Sequence, residues 1–160
     1  MGVVMMYTRL TDKALDELAL KLLGVEEVDG YELFPEDYDF FEIDKFWEAL
    51  DELNAFVKDK RTQAAVTLAI FGKTLTSSPE DNIFGVMCED LPEAISGLEK
   101  LDVPALVEKA NQRRWWRRSE LRWDYRDPEL VEELSFAKKQ LLDFYKQAAQ
   151  NGENVVLFAG

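Results

Sequence analysis

The segment from Glu42 to Val57 carries apolar residues at the spacing of one α-helical face. The apolar positions are Phe46, Trp47, Leu50, Leu53 and Val57. Because so broad an apolar face must be covered by the rest of the chain, we expect a central core helix. Asp44 stands where an N-cap belongs, and Trp47 brings the most apolar surface. The intervening acids are expected on the solvent side: Glu48, Asp51 and Glu52.

Composition limits the classes of protein to which the chain can belong. With 160 residues, 47% of them hydrophobic, it can form one domain with a sizeable core. A net charge of −13 disfavours contact with nucleic acid or anionic membranes and attracts basic partners. The sequence lacks an apolar run long enough to span a membrane and has no signal-peptide pattern at its start. Cys88 is the sole cysteine, which fits a cytoplasmic protein.

The chain contains no histidine, which removes most familiar catalytic and metal sites. Catalytic triads, Cys-His dyads and His-ligated zinc are excluded. Cys88 ends an apolar run and is expected to be an inert, small hydrophobic residue. Asp37 and Asp39 lack the ligand order of a calcium loop. We therefore expect no enzyme activity, no cofactor and no metal, with carboxylate-based catalysis as the open alternative.

Strand and helix signals alternate along the chain and indicate an α+β fold. Short β-rich runs predict strands at Val3–Leu10, Ile83–Cys88 and Asn154–Ala159. Start signals and apolar periodicity predict helices after Thr11, Asp90, Asp102 and Asp127. The apolar run Ala64–Phe71 fits either a helix or a buried strand, and its alanines favour a short helix. We expect a single compact domain in which the terminal strands and one central strand form a small sheet against several helices.

An acidic stretch, Val25–Asp44, has nine acidic residues, interleaved aromatics and no Lys or Arg. One interpretation is a surface loop whose aromatics cover the core while the acids stay hydrated. The other is a binding surface for a cationic partner. The candidate binding residues are Tyr31, Glu32, Phe34, Glu36, Asp37, Tyr38 and Asp39.

The charge reverses in the segment Arg113–Arg126, the Arg/Trp segment, which combines six arginines with three tryptophans. We place first the interpretation that the arginines pair with the acidic stretch and the tryptophans fill the edge of the core. A protein-interaction surface containing Arg114, Trp115 and Trp116 comes second, because Arg and Trp dominate such surfaces. Binding of single-stranded nucleic acid comes third, since the protein as a whole is acidic.

Several motifs resemble one known family. They are Ile43-Asp44-Lys45-x-Trp47-x-x-Leu50, Ala69-Ile70-Phe71-Gly72 and Phe144-Tyr145-x-x-Ala148-Ala149-x-x-Gly152-Glu153. In order and spacing the chain resembles the bacterial YfbM-like family, domain of unknown function 1877. The resemblance covers nearly the whole chain and implies one YfbM-like α+β domain over residues 1–160. It brings no established activity and no catalytic residues.

Charge and aromatic content together predict a cytoplasmic binding protein for a basic protein partner, such as an immunity-type toxin inhibitor. The alternative is a housekeeping protein with a small-molecule ligand or a carboxylate-based activity. Neither nucleic acid nor membrane is expected as a partner.

Overall fold

The computed structural model describes residues 3–23, 40–75, 83–117 and 123–160. The strands are β1 Met5–Leu10, β2 Phe41–Glu42, β3 Lys73–Thr74, β4 Ile83–Val86 and β5 Asn154–Ala159. The helices are α1 Asp12–Leu22, α2 Phe46–Asn54, α3 Lys60–Phe71, α4 Leu91–Lys100, α5 Val103–Gln112 and α6 Pro128–Asn151, with a 3-10 turn at Trp115–Arg117. None of the described helices is long and apolar enough to cross a membrane.

The five strands form one antiparallel sheet in the order β2-β1-β5-β4-β3. The last strand, β5, lies in the centre and pairs with the first strand from Met5 opposite Ala159 to Leu10 opposite Asn154. Its other edge pairs with β4. The prediction that these three strands share a sheet is confirmed. The sequence did not predict β2 and β3, which are two-residue pairings at the two edges.

The two faces of the sheet bury different side chains, as the two-residue period of a strand requires. Tyr7, Val155 and Leu157 face the larger core, which also contains buried residues of helices α2 to α6. Met6 and Phe158 face a smaller core closed by Leu18 of α1. The sheet is therefore covered on both sides, with most of the helices on one.

Helix α2 is the predicted core helix, although it begins later than expected. Leu50 and Leu53 are completely buried, and Trp47 is partly buried with its indole N–H donating to the Val3 carbonyl at 3.1 Å. The N-cap prediction for Asp44 is wrong. Asp44 is exposed with a left-handed backbone (φ 44°), and Lys45 precedes the helix without a capping side-chain bond. The expectation of a solvent-facing acidic side is corrected below.

Helix starts elsewhere follow local capping chemistry. The side chains of Thr11, Asp102 and Asp127 accept hydrogen bonds from first-turn amides, as predicted. Asp90 precedes α4, but its carboxylate binds the Lys73 ammonium at 2.6 Å instead of capping the helix. The helix predicted at Ala64–Phe71 is correct in type and begins earlier, at Lys60.

The carboxyl end of α3 is held by tyrosines from two other elements. The last carbonyls of a helix lack intrahelical partners. The hydroxyl of Tyr145 donates to the Ala69 carbonyl at 2.7 Å, and that of Tyr7 donates to the Ile70 carbonyl at 3.0 Å. Burial raises the pKa of both hydroxyls. These bonds join α3 to the sheet and to α6.

Candidate functional site

Three of the ten residues predicted to bind a partner lie in the described part of the chain. Arg114 is exposed, Trp115 is partly buried, and of Trp116 the structure describes the backbone. The remaining seven, at positions 31, 32, 34 and 36–39, lie outside the described residues, so their role stays a prediction. The candidate site described below consists of α2 and the described residues of the Arg/Trp segment.

The chain turns sharply where α5 ends. Arg114 adopts a left-handed backbone (φ 51°), and the Arg117 amide donates to its carbonyl at 3.0 Å to close a 3-10 turn. Trp115 thereby reaches the end of α2, where its ring meets Phe56 edge to face at 5.3 Å between centroids. The Arg113 guanidinium lies 5.6 Å from the centroid of the same Phe56 ring. An arginine and a tryptophan of the segment thus contact one aromatic ring of the core edge.

The returning half of the segment lies along α2. Trp123 packs on Phe46 with ring centroids 6.2 Å apart. Tyr125 is almost completely buried, and its hydroxyl donates to the Glu52 carboxylate at 2.6 Å. The amide of Asn111 donates to the Tyr125 carbonyl at 2.9 Å, which joins the segment to α5 as well. These contacts agree with the first interpretation, in which the tryptophans fill the edge of the core.

One arginine of the segment has its partner within the segment itself. Arg126 binds the Asp124 carboxylate through two bonds of 2.7 and 2.9 Å. This geometry lowers the pKa of Asp124 through the hydrogen bonds from Arg126. Pairing of the arginines with residues 25–39 of the acidic stretch falls outside the described residues and stays a prediction.

Buried polar atoms in this region remain without hydrogen bonds in the described part of the chain. They are Nε1 of Trp115, Nε1 of Trp123 and Oδ1 of Asn111. Native proteins usually satisfy such atoms with ordered water or a bound group. Among the described residues, two donors and one acceptor thus lie without a hydrogen-bond partner where the Arg/Trp segment packs on α2 and α5.

The acidic side of α2 is half-buried, so the prediction that it faces open solvent is wrong. Glu48, Asp51 and Glu52 all have intermediate exposure. Burial raises the pKa of Asp51, and the neighbouring charge of Glu52 raises it further. Exposed Glu42 and Asp44 lie just ahead of the helix. The acidic stretch therefore continues onto α2.

A cleft of about 440 Å³ lies on a different part of the molecule, between α3 and α4. Arg61 and Lys100 line it together with Glu89, Glu93 and Ser96. Sequence reasoning missed this cleft, although the i, i+3, i+7 spacing of Glu93, Ser96 and Lys100 marks one helical face. Asp51, whose pKa is raised, is on α2 and does not line the cleft.

The remaining candidates for chemistry were the thiol and metal-binding carboxylates. The Cys88 amide donates to Asn154 Oδ1 at 2.9 Å. Burial raises the pKa of its thiol, and the charges of Asp12, Glu89 and Glu153 act in the same direction. Such a thiol is a poor nucleophile near neutral pH. Within the four described ranges, no group of three or more Cys, Asp or Glu side chains is arranged to hold a metal ion.

Comparison with known proteins identifies the family of this chain. A family model described as "Domain of unknown function (DUF1877)" matches residues 1–158. The structure is similar to "The Crystal Structure of a Protein of Unknown Function YfbM from Escherichia coli", with a TM-score of 0.67 and 15% identity over 98% of this chain and 99% of that chain. No curated protein matches significantly. The YfbM-like resemblance of the sequence is confirmed, and the protein belongs to the DUF1877 family.

Proposed function

We propose that the protein is a non-catalytic binding protein that engages a basic protein partner, as an immunity-type inhibitor covers the cationic active site of a toxin. One observation carries the proposal, namely the uncompensated charge of Asp51. Its carboxylate is half-buried beside Glu52 and forms no ion pair or hydrogen bond within the described residues. A Lys or Arg from a partner would supply the missing countercharge.

The charge of the whole molecule supports the same proposal. A net charge of −13 attracts a cationic protein over long distances and raises its association rate. Glu42 and Asp44, the last two acidic residues of the acidic stretch, are exposed and lie just ahead of α2.

Long-range attraction sets the association rate more than the residence time, so apolar anchors are also needed. Trp115, Phe56 and exposed Arg114 provide aromatic and arginine side chains at the end of α2. The aromatics of the acidic stretch would supply further anchors. We place this encounter in the cytoplasm, where the lone cysteine and the sequence composition fit best.

The test is a pull-down from native lysate at low salt, followed by association kinetics with the recovered partner. Asp51→Lys, and separately the triple variant Glu36→Lys, Asp37→Lys, Asp39→Lys, should lower the association rate about tenfold. The matched control is Asp143→Lys, which changes an exposed charge on α6 and should have little effect.

Two results would contradict the proposal. If the wild-type protein retains no stoichiometric basic protein at low salt, there is no partner of the proposed kind. If the partner associates equally fast with all variants, the acidic surface is not its binding site.

A further inference from the structure

The cleft between α3 and α4 is bounded by two helices that run antiparallel. At one end Asp59, which precedes α3, interacts electrostatically with Lys100 at the end of α4. At the other end Lys73, which follows α3, binds Asp90 at the start of α4 at 2.6 Å. The antiparallel helices therefore place charged side chains at both ends of the cleft.

Close contact between the helices fixes the walls of the cleft. Gly97 of α4 lies against Ala65 and Val66 of α3, and a Cβ atom at Gly97 would come within 2.7 Å of Ala65. Ala65 is buried, and so is Thr62, whose hydroxyl and amide bind the Asp59 carboxylate. The cleft is thus a preformed groove above a tightly packed contact.

The two ends of the cleft carry opposite charge. Arg61 and Lys100 lie at the cationic end, where Asp59 offsets one of the two positive charges, and neither cationic side chain forms an ion pair within 4 Å or a hydrogen bond in the described part of the chain. Glu89 and Glu93 lie at the acidic end. The nearby Lys73 is bound to Asp90, and these two charges cancel. Glu89 and Glu93 therefore leave the acidic end with a net negative charge.

The separation of the charges sets the length of a matching ligand. Glu93 and Lys100 are seven residues apart on one helix, which places them about 10 Å apart along its axis at the usual helical rise. An extended peptide of about three residues has the same length. Ser96 lies between them and also lines the cleft, and 440 Å³ is within the range of small-molecule sites.

We infer that this cleft binds a zwitterionic small molecule whose carboxylate and ammonium groups are about 10 Å apart, with the chemistry of an extended tripeptide. The carboxylate lies between Arg61 and Lys100, and the ammonium group lies near Glu89 and Glu93. The inference is independent of the protein partner proposed above, which engages α2.

The test is an NMR titration of labelled protein with trialanine at low salt, following the amides of Ser96 and Gly97. We expect saturable shifts of both amides. N-acetyl-trialanine and trialanine amide should each bind about fivefold more weakly, because each loses one charge. Arg61→Gln and Lys100→Gln should weaken trialanine by a similar factor, whereas Lys139→Gln on α6 should not.

The trialanine titration can also overturn the inference. No shift of these amides up to the solubility of trialanine would show that the cleft does not take this ligand. Equal affinity for trialanine, N-acetyl-trialanine and trialanine amide would show that the charges do not contribute. All three substituted side chains are exposed, so the variants are expected to fold normally.

Discussion

Asp51 is held in surroundings that favour its protonated form. It is half-buried on α2, and Glu52 is its neighbour. The raised pKa means that the folded protein binds this proton more tightly than the unfolded chain does. The contribution of Asp51 to the free energy of unfolding therefore falls as the pH rises from the ordinary value of 3.8 through the raised value. At neutral pH the charge is unfavourable for folding.

Replacing Asp51 by Asn should stabilise the protein at pH 7 by about 0.5 kcal/mol, a small value because the side chain is partly hydrated. The gain should be absent well below pH 3.8, where Asp51 is protonated in both states. Urea unfolding of the wild type and of Asp51→Asn, from well below pH 3.8 up to pH 7, measures this difference in the free energy of unfolding. Asp143→Asn on the exposed face of α6 is the control and should show no such trend. A gain in stability that does not change with pH would contradict the raised pKa of Asp51.

The surroundings of Asp51 and Glu52 could not be predicted from the sequence. Helical periodicity places both away from the apolar stripe, which led to the prediction of a solvent-facing side. Tyr125, which is 73 positions after Glu52 in the chain, packs back onto α2 and donates its hydroxyl to the Glu52 carboxylate. A local pattern reports which side of a helix is apolar, but it does not report which distant segment returns to cover the polar side.

At the scale of elements, α3 and α4 pack closely against each other, and one glycine permits it. A Cβ atom at Gly97 would lie 2.7 Å from Ala65 and 2.8 Å from the Val66 amide nitrogen. Backbone atoms cannot move aside as a flexible side chain can. The contact also forms the base of the cleft, so the stability of the helix pair and the shape of the cleft are linked.

Gly97→Ala should therefore destabilise the protein, although alanine favours a helix by up to about 1 kcal/mol over glycine. Overpacking costs about 1–3 kcal/mol, so we expect a net loss of about 1–2 kcal/mol in the free energy of unfolding. The neighbouring Ser96→Ala is the control, with a change within about 0.5 kcal/mol. Both are measured by urea unfolding. A Gly97→Ala variant as stable as the wild type would mean that the helices separate at little cost.

Elements were predictable where their signals are local. Thr11, Asp102 and Asp127 cap the next turn with their own side chains, so three helix starts are readable in sequence. Asp44 and Asp90 are the same kind of residue, but the first takes a left-handed backbone and the second binds Lys73. Whether an aspartate caps a helix thus depends on tertiary partners that the local sequence does not contain.

At the scale of the whole molecule, the sheet joins the two ends of the described chain. Central β5 pairs with β1 on one side and β4 on the other, and the Val4 amide donates to the Gly160 carbonyl at 2.8 Å. The three main strands were predictable from their β-rich composition. Their order was not, because no local pattern states which strand is central.

The position of a strand in the sheet should decide how it tolerates proline. Val156 lies in β5 between Thr8 and Gly85, so β5 is paired on both of its edges here and the Val156 amide points at one of the two neighbouring strands. Val156→Pro should remove the hydrogen bond of this amide and lower the free energy of unfolding by about 3 kcal/mol or more. In edge strand β3 the Leu75 amide donates to Ile83, so by strand alternation the Thr74 amide points away from β4.

Thr74→Pro is therefore the matched control and should cost no more than about 1 kcal/mol, because it removes no bond of the ladder. Urea unfolding followed by near-ultraviolet circular dichroism compares the two variants. We expect a cooperative transition near that of the wild type for Thr74→Pro and a greatly weakened or absent one for Val156→Pro. Equal losses would contradict the strand order, because only a central strand uses both of its edges.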